Sequence, residues 1–392
     1  MKIVFSDDDA DGIISAYMIS SYLSSIGERH KVIFQTWDKF GLTEKDVEQI
    51  LSYQPSQVYV LDIGSGIDVL QRIKPLIDKK ITVTILDNHP PELEVLGEKE
   101  YMKFLSFLEE LKKTGYLEYF SSTENCTTGY CYLYIQSHGM KVTEFLEKLT
   151  ILGLVADVST DKKIGGEIYG KLLSKYPEYA GTIYYGTNAT FKWSIIDAIV
   201  QFFHVPRRII YDEASPLLME FLRDIEHKGY DFITLYGEIE GELGKLYKSE
   251  DKKIVNVLPS YPPSVQKIAE LLLSWRTEWK KVLDRGNIFT LDYETFQVSI
   301  IKHKWNLGSA ICNLRLSETR KPQFVINIIP EKNIVYVSAR SDGKIHVGKV
   351  FSQCDKSILD GGGIREAGSA LARTYNISAI VREIVKNTKS QS

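Results

Sequence analysis

Short apolar blocks alternate along the chain with longer stretches in which apolar positions recur every three or four residues. Lys2 to Phe5 is a β-prone run, and Ile13 to Leu23, after a turn at Gly12, carries helical spacing. The unit repeats. Thr43 to Tyr53 predicts a helix, Gln57 to Leu61 a strand ending at Asp62, Ile67 to Asp78 a helix, and Ile81 to Leu86 a strand ending at Asp87. Strands alternating with helices of this length predict a doubly wound parallel sheet, whose ligands collect beyond the carboxyl ends of the strands. Asp9, Asp11, Asp62 and Asp87 all fall at or just past such ends.

Helical spacing continues through Lys103 to Lys112, Thr127 to Ser137 and Val142 to Val155, where the pattern reaches Asp157. The chain then reads mainly helical over Ile164 to Lys175, Ser194 to His204 and Ala214 to His227, with a break expected at Pro206. A β-like stretch is expected from Ile233 to Val257. Leu258 to Ser264, with three prolines, reads as a linker. Val265 to Leu283 then reads as one helix, and strands return at Val298 to Ile301, Phe324 to Ile329 and Ile334 to Ser338. The expected organisation is α/β: a doubly wound parallel-sheet domain over 1–160, a mainly helical middle region over 161–284, and a smaller α/β domain over 285–392.

Charge sharpens this division. Residues 1–285 carry 33 basic and 42 acidic side chains, net −9, whereas 286–392 carry 15 and 9, net +6. The tail is therefore suited to an anion, and the sheet domain to a cation. Cys126, Cys131, Cys312 and Cys354 form no CxxC pair, which argues against a disulfide framework or structural zinc and fits a reducing cytoplasm. The absence of a leader-like start and of any apolar run near 18 residues leads to the expectation of a cytoplasmic protein with no membrane segment.

Carboxylates converging from several strand ends repel one another unless a cation compensates them. Asp9 and Asp11, two apart, can point toward common ions, with Asp62 arriving from a neighbouring strand as a bridge. Oxygen-rich ligation suits Mn2+ or Mg2+, and an imidazole such as His89 favours manganese. Each aspartate alone reads equally as a helix cap or turn residue; their joint placement does not.

The residues resemble a known family. Asp9-Ala10-Asp11-Gly12, the isolated Asp62 after Val60-Leu61, the triplet Asp87-Asn88-His89, and Asp157 after Gly153-Leu154 are similar, in order and spacing, to the four motifs of the DHH phosphoesterase superfamily. Asp360-Gly361-Gly362-Gly363-Ile364-Arg365-Glu366-Ala367-Gly368 resembles the glycine-rich signature of the associated DHHA1 domain. Among subfamilies, the N-terminal DxDxDG form looks most like the archaeal RecJ-like nucleases of the Hef-associated and GINS-associated type. The resemblance implies a two-metal phosphodiesterase with two Mn2+ ions expected and Mg2+ as the alternative. It makes Asp9, Asp11, Asp62 and Asp157 metal ligands, with Asp62 as the bridge. Asp87 would support the site from behind, and His89 would meet the substrate phosphate or donate to the leaving group. In the second domain, Ser338 and Arg340 would hold a nucleic-acid backbone, while Gly361, Gly362, Gly363 and Arg365 would approach phosphate.

This chain departs from the family pattern at three places. Asn88 stands where the family triplet has a metal-binding histidine. Upstream of Asp9, where relatives carry another histidine, stand Phe5, which cannot ligate, and Asp7, the candidate replacement; Asp8 reads as a solvated loop charge. Ile364 replaces a histidine after the glycines. The implied function is a Mn2+-dependent exonuclease on single-stranded DNA or RNA, with a helicase or replication-complex partner in repair or replication. The alternatives are an oligonucleotide or cyclic-dinucleotide phosphodiesterase and a catalytically weakened scaffold. Trp275, Trp279 and Trp305 read as packing rather than as base-stacking residues.

Overall fold

The computed structural model describes residues 1–36, 41–180, 194–248, 260–284, 288–363 and 365–391. The described residues form two compact units, the first reaching Leu273 and the second starting at Ser274.

The first unit is built on a five-stranded sheet: β1 (Lys2–Ser6), β2 (His30–Phe34), β3 (Gln57–Leu61), β4 (Thr82–Asp87) and β5 (Leu117–Ser121). All neighbours are parallel, in the order β2-β1-β3-β4-β5. Strands covered on both faces need apolar side chains at successive positions, which is why β3 and β4 read VYVL and TVTIL. One face presents Phe5, Val60 and Ile85 to α2 (Glu44–Ser52), α3 (Ile67–Asp78) and α5 (Glu98–Lys112), which follows the single turn of α4 (Leu93–Leu96). On the other face Tyr59 meets Tyr134 of α6 (Thr127–Ser137) edge-on, and Tyr134 in turn meets Tyr22 of α1 (Ala10–Ser25). The chain leaves β1 for β2 on one side and returns to β3 on the other. That reversal opens a crevice at the carboxyl ends of β1 and β3.

The helices α7 (Glu144–Ala156), α8 (Lys163–Leu173), α9 (Ile195–Ile210), α10 (Ala214–Lys228), α11 (Phe232–Lys248) and α12 (Pro263–Asp284) follow. Two expectations are corrected here. The helix α9 runs through Pro206 to Ile210 rather than breaking at the proline, with Pro206 itself buried among its apolar neighbours. The expected β-like stretch from Ile233 is α11 as far as Lys248, with Phe232, Leu235 and Ile239 buried at helical spacing. The rest of that stretch, 249–257, lies outside the described residues, as do Leu258 and Pro259. The strands β2 and β5 have no counterpart in the sequence reading.

The second unit contains β6 (Phe289–Asp292), β7 (Gln297–Lys302), α13 (Gly308–Thr319), β8 (Gln323–Ile329), β9 (Ile334–Arg340), α14 (Val347–Ser352), β10 (Leu359–Gly363), β11 (Ala367–Ala372) and α15 (Ile377–Lys389). Its sheet has the order β10-β11-β9-β8-β7-β6, antiparallel except between β7 and β8. Phe296, Phe324, Val337, Phe351 and Ile380 centre its core. Among the described residues no helix is long and apolar enough to cross a membrane.

A close approach between α6 and α7 fixes the ground beneath the crevice. A Cβ added to Gly153 would stand 2.6 Å from the Thr128 Cβ, so only glycine lets the two helices meet there. We expect Gly153→Ala to force the first turn of α6 aside and to destabilise the unit by roughly 1–3 kcal/mol. Urea denaturation would show this as a lowered midpoint at unchanged slope.

Candidate metal centre

The loop after β1 carries the first carboxylates. Asp9 caps α1 by accepting the Gly12 N–H at 3.0 Å through Oδ1, and the Ser6 hydroxyl donates to the Gly12 carbonyl at 2.8 Å. A Cβ on Gly12 would lie 2.4 Å from the Asp7 carbonyl oxygen, so glycine is what allows Asp7 to fold back over the helix start. Asp62 follows β3 in the left-handed region, with φ 59°, while its N–H still bonds the Leu86 carbonyl at 3.1 Å. That conformation costs a non-glycine residue about 1 kcal/mol, and it turns the carboxylate into the crevice. Oxygens of Asp7, Asp9 and Asp62 all lie within 4.8 Å of one another. Asp7 Oδ1 is buried and accepts no hydrogen bond. An orphaned anionic oxygen beside two other carboxylates fits a hard divalent cation such as Mn2+ or Mg2+.

Asp62 also belongs to a second group with Asp87 and His89, again within 4.8 Å. Asp87 ends β4 and is held by two backbone donors, Gly64 N–H at 2.7 Å and His89 N–H at 2.6 Å. His89 Nδ1 stands 3.6 Å from Asp62 and 3.7 Å from Asp87. Desolvation in the crevice pulls the His89 pKa down, but the Asp87 carboxylate beside it, helped by Asp157 and Asp9, pushes it up to about 10.

Asp11 and Asp157 point elsewhere. Asp11 sits over the amino end of α6, where Oδ2 accepts Thr127 N–H at 2.8 Å and Oδ1 accepts both Thr128 N–H at 2.8 Å and the Thr128 hydroxyl at 2.5 Å. The Thr127 hydroxyl lies 3.1 Å from Asp62 Oδ1 and 3.0 Å from Asn88 Oδ1, and the Asn88 amide nitrogen donates to Asp157 at 2.7 Å. Burial, with Asp9, pushes Asp11 up to about 6 against the pull of Thr128 and Thr127. Asp62 is raised by burial and by Asp9 and Asp11. Asp9 alone of this set is lowered, because Arg207 and the Gly12 N–H outweigh its burial.

Arg207 is the residue that sequence reading missed. It reaches from α9 to Asp8 Oδ1 at 2.5 Å and stands 4.0 Å from Asp7 Oδ1. Asp8 is therefore not a solvated loop charge: it is 1% exposed and ion-paired. His204, one turn earlier, adds a weaker pull on Asp9. The only trace in the sequence is a pair of arginines in an otherwise apolar helix. Phe202 and Phe203 of that helix are fully buried, as core residues should be.

In the second unit, Ser338 and Arg340 fall on one face of β9, and Ser338 is buried. The Arg340 guanidinium donates to the Ala339 carbonyl at 2.8 Å. Gly361, Gly362 and Gly363 lie in the edge strand β10, paired with Ala370, Ser369 and Gly368 of β11. A Cβ at Gly361 would meet the Ser369 carbonyl oxygen at 2.2 Å, so close strand packing explains that glycine. Arg365 follows β10 and its carbonyl accepts the Val347 N–H at 3.0 Å, while Ile364 lies outside the described residues. Trp275 stacks between Trp279 at 5.8 Å and Trp305 at 6.2 Å.

A parallel sheet of order 2-1-3-4-5 with aspartates at the ends of β1, β3 and β4, joined in one chain to a second mixed sheet carrying the glycine hairpin, bears out the fold that the resemblance to the DHH phosphoesterase superfamily implied. Solved structures share it. Exonuclease RecJ bound to manganese matches with a TM-score of 0.50 at 13% identity, over 100% of this chain and 89% of that one. RecJ in complex with Mn2+ from Thermus thermophilus matches with 0.50 at 15% identity, over 99% of this chain and 52% of that one. CDC45 from Entamoeba histolytica matches with 0.50 at 10% identity, over 99% and 95%. This chain thus spans about half the length of the Thermus protein. At such identities the likeness is one of fold. No family model matches the sequence, and no curated protein matches it.

Two outcomes follow from this geometry. Arg207→Ala leaves Asp8 buried without its cation and should cost roughly 3 kcal/mol, most of which Asp8→Asn recovers in the double variant when both are unfolded in urea. In metal-free protein, His89 should remain protonated at pH 8, and Asp87→Asn should bring its NMR titration midpoint down toward the ordinary 6.5. Because its folded-state pKa is raised, the stability His89 contributes is full below 6.5 and fades as pH climbs through about 10.

Proposed function

We propose that the chain is a metal-dependent phosphodiesterase, a hydrolase that acts as an exonuclease on single-stranded DNA or RNA. The observation that carries the reading is the convergence of Asp7, Asp9 and Asp62 at the switch-point crevice, with the His89 imidazole at its edge. The fold shared with RecJ bound to manganese supports the reaction class and favours Mn2+, with Mg2+ as the alternative. A bound ion at the aspartates supplies a Lewis acid and a water of lowered pKa.

The protein's own groups do the rest. The His89 side chain is 41% exposed, so it can meet a phosphate oxygen while its Nδ1 stays against Asp87 and Asp62. Held protonated by Asp87, it is placed to stabilise developing charge or to give a proton to the leaving oxygen. Asp87, pinned by two backbone N–H groups, fixes the orientation of that imidazole. Arg340 and Arg365, in a segment with net charge +6 over 286–392, are the proposed contacts to the nucleic-acid backbone, with Ser338 shaping the strand beneath them. In this reading 1–160 is the catalytic core and 285–392 binds substrate, in a cytoplasmic protein that works with a helicase or a replication complex. A weakened scaffold is the second reading, favoured by Asn88, whose amide is engaged by Thr127 and Asp157.

Release of nucleotides from end-labelled single-stranded DNA and RNA should require Mn2+ or Mg2+ and stop in EDTA. Asp62→Ala should lower the rate on the order of 10³-fold. Cleavage that survives EDTA or the substitution would sink the reading; no cleavage of oligonucleotides or cyclic dinucleotides with any metal would favour the scaffold.

A further inference from the structure

Resting on the phosphodiesterase reading, we infer that the centre holds one divalent ion, at Asp7, Asp9 and Asp62, and that Thr127, Thr128 and Asn88 fill the place of a second. The family resemblance makes Asp9, Asp11, Asp62 and Asp157 metal ligands and puts a further, histidine ligand at the position of Asn88. In this chain Asp11 and Asp157 accept from protein donors of their own, and the one Thr127 hydroxyl proton is shared between Asp62 and Asn88. Both Asp11 oxygens accept from the amino end of α6, by two backbone N–H groups and the Thr128 hydroxyl. The partial positive charge of a helix start does there what a cation would do. The Thr127 hydroxyl stands between Asp62 Oδ1 and Asn88 Oδ1, in the heart of that ligand set.

Asn88 completes the plug because an amide is donor and acceptor at once. Its oxygen accepts from Thr127 while its nitrogen donates to Asp157 at 2.7 Å. The Asp157 carboxylate is thereby tied to Asn88, with the Ser159 hydroxyl a further 3.5 Å away. The group formed by Asp62, Asp87 and His89 offers no second place either. Both Asp87 oxygens already accept backbone N–H groups, and His89 Nδ1 stands 3.6 Å from Asp62 and 3.7 Å from Asp87. In the first group Asp7 Oδ1 is buried without a hydrogen bond, with Arg207 4.0 Å away, and Asp9 accepts the Gly12 N–H through Oδ1.

The test is a count. Chelator-stripped full-length protein is titrated with Mn2+ by calorimetry, and the loaded protein is examined by low-temperature EPR. We expect one ion per chain and the six-line spectrum of an isolated Mn2+. Two ions with an exchange-coupled spectrum overturn the inference and leave the metal-dependent phosphodiesterase standing; no bound ion overturns both. Asp157→Asn should keep one ion with affinity within about threefold of wild type, whereas loss of that ion from a variant whose circular dichroism is native contradicts the inference. Should that variant not fold, the wild-type count decides alone.

Discussion

Repulsion among carboxylates in a partly dry crevice is the interaction around which the first unit is arranged. Two unit charges 4 Å apart at a protein-like dielectric repel by about 4 kcal/mol, a sizeable share of a domain's net stability. The structure answers with a different partner for each. Asp11 has the start of α6, Asp8 has Arg207, Asp87 has two backbone N–H groups and the His89 ring, and Asp157 has Asn88. Asp7, Asp9 and Asp62, within 4.8 Å of one another, are the group proposed above to take a cation.

The sheet order decides where this takes place. Because β1 is flanked by β2 on one side and β3 on the other, the loops leaving β1 and β3 part in opposite directions and leave their carboxyl ends open. The left-handed Asp62 gives up backbone comfort at that point, whereas the strands beneath it are ordinary and fully buried. In the second unit Arg320 and Asn333 are left-handed as well, and Gly361 and Gly363 admit the close approach of β11.

What could be read in the sequence is what local pattern determines. The strands β1, β3 and β4 are continuous apolar runs that end in aspartate, so their place and chemistry show at once. The strands β2 and β5 are the sheet's two edges; their mixed polar sequences, HKVIF and LEYFS, reflect one-sided cover and carry no comparable signal. The close approach of β11 that requires glycine at Gly361 and Gly363 belongs to strand pairing and has no local signal. Val, Ile and Thr in and beyond α11 suggested strands, yet Phe232, Leu235 and Ile239 bury one helical face. The roles of Asp7, Asp8 and Asp11 turned on partners remote in sequence, Arg207 and the threonines of α6, which no spacing rule reaches.

Those remote partners bear on how the chain is made. Tyr17 of α1 donates to Glu226 of α10 across 209 residues, and the acidic loop beside it is closed by Arg207. The sheet strands and the aspartates emerge first during synthesis, while their counterions follow much later. A nascent chain halted before α9 would carry a finished sheet whose rim still repels itself. Until α9 brings Arg207, the buried Asp8 in that rim has no cation beside it.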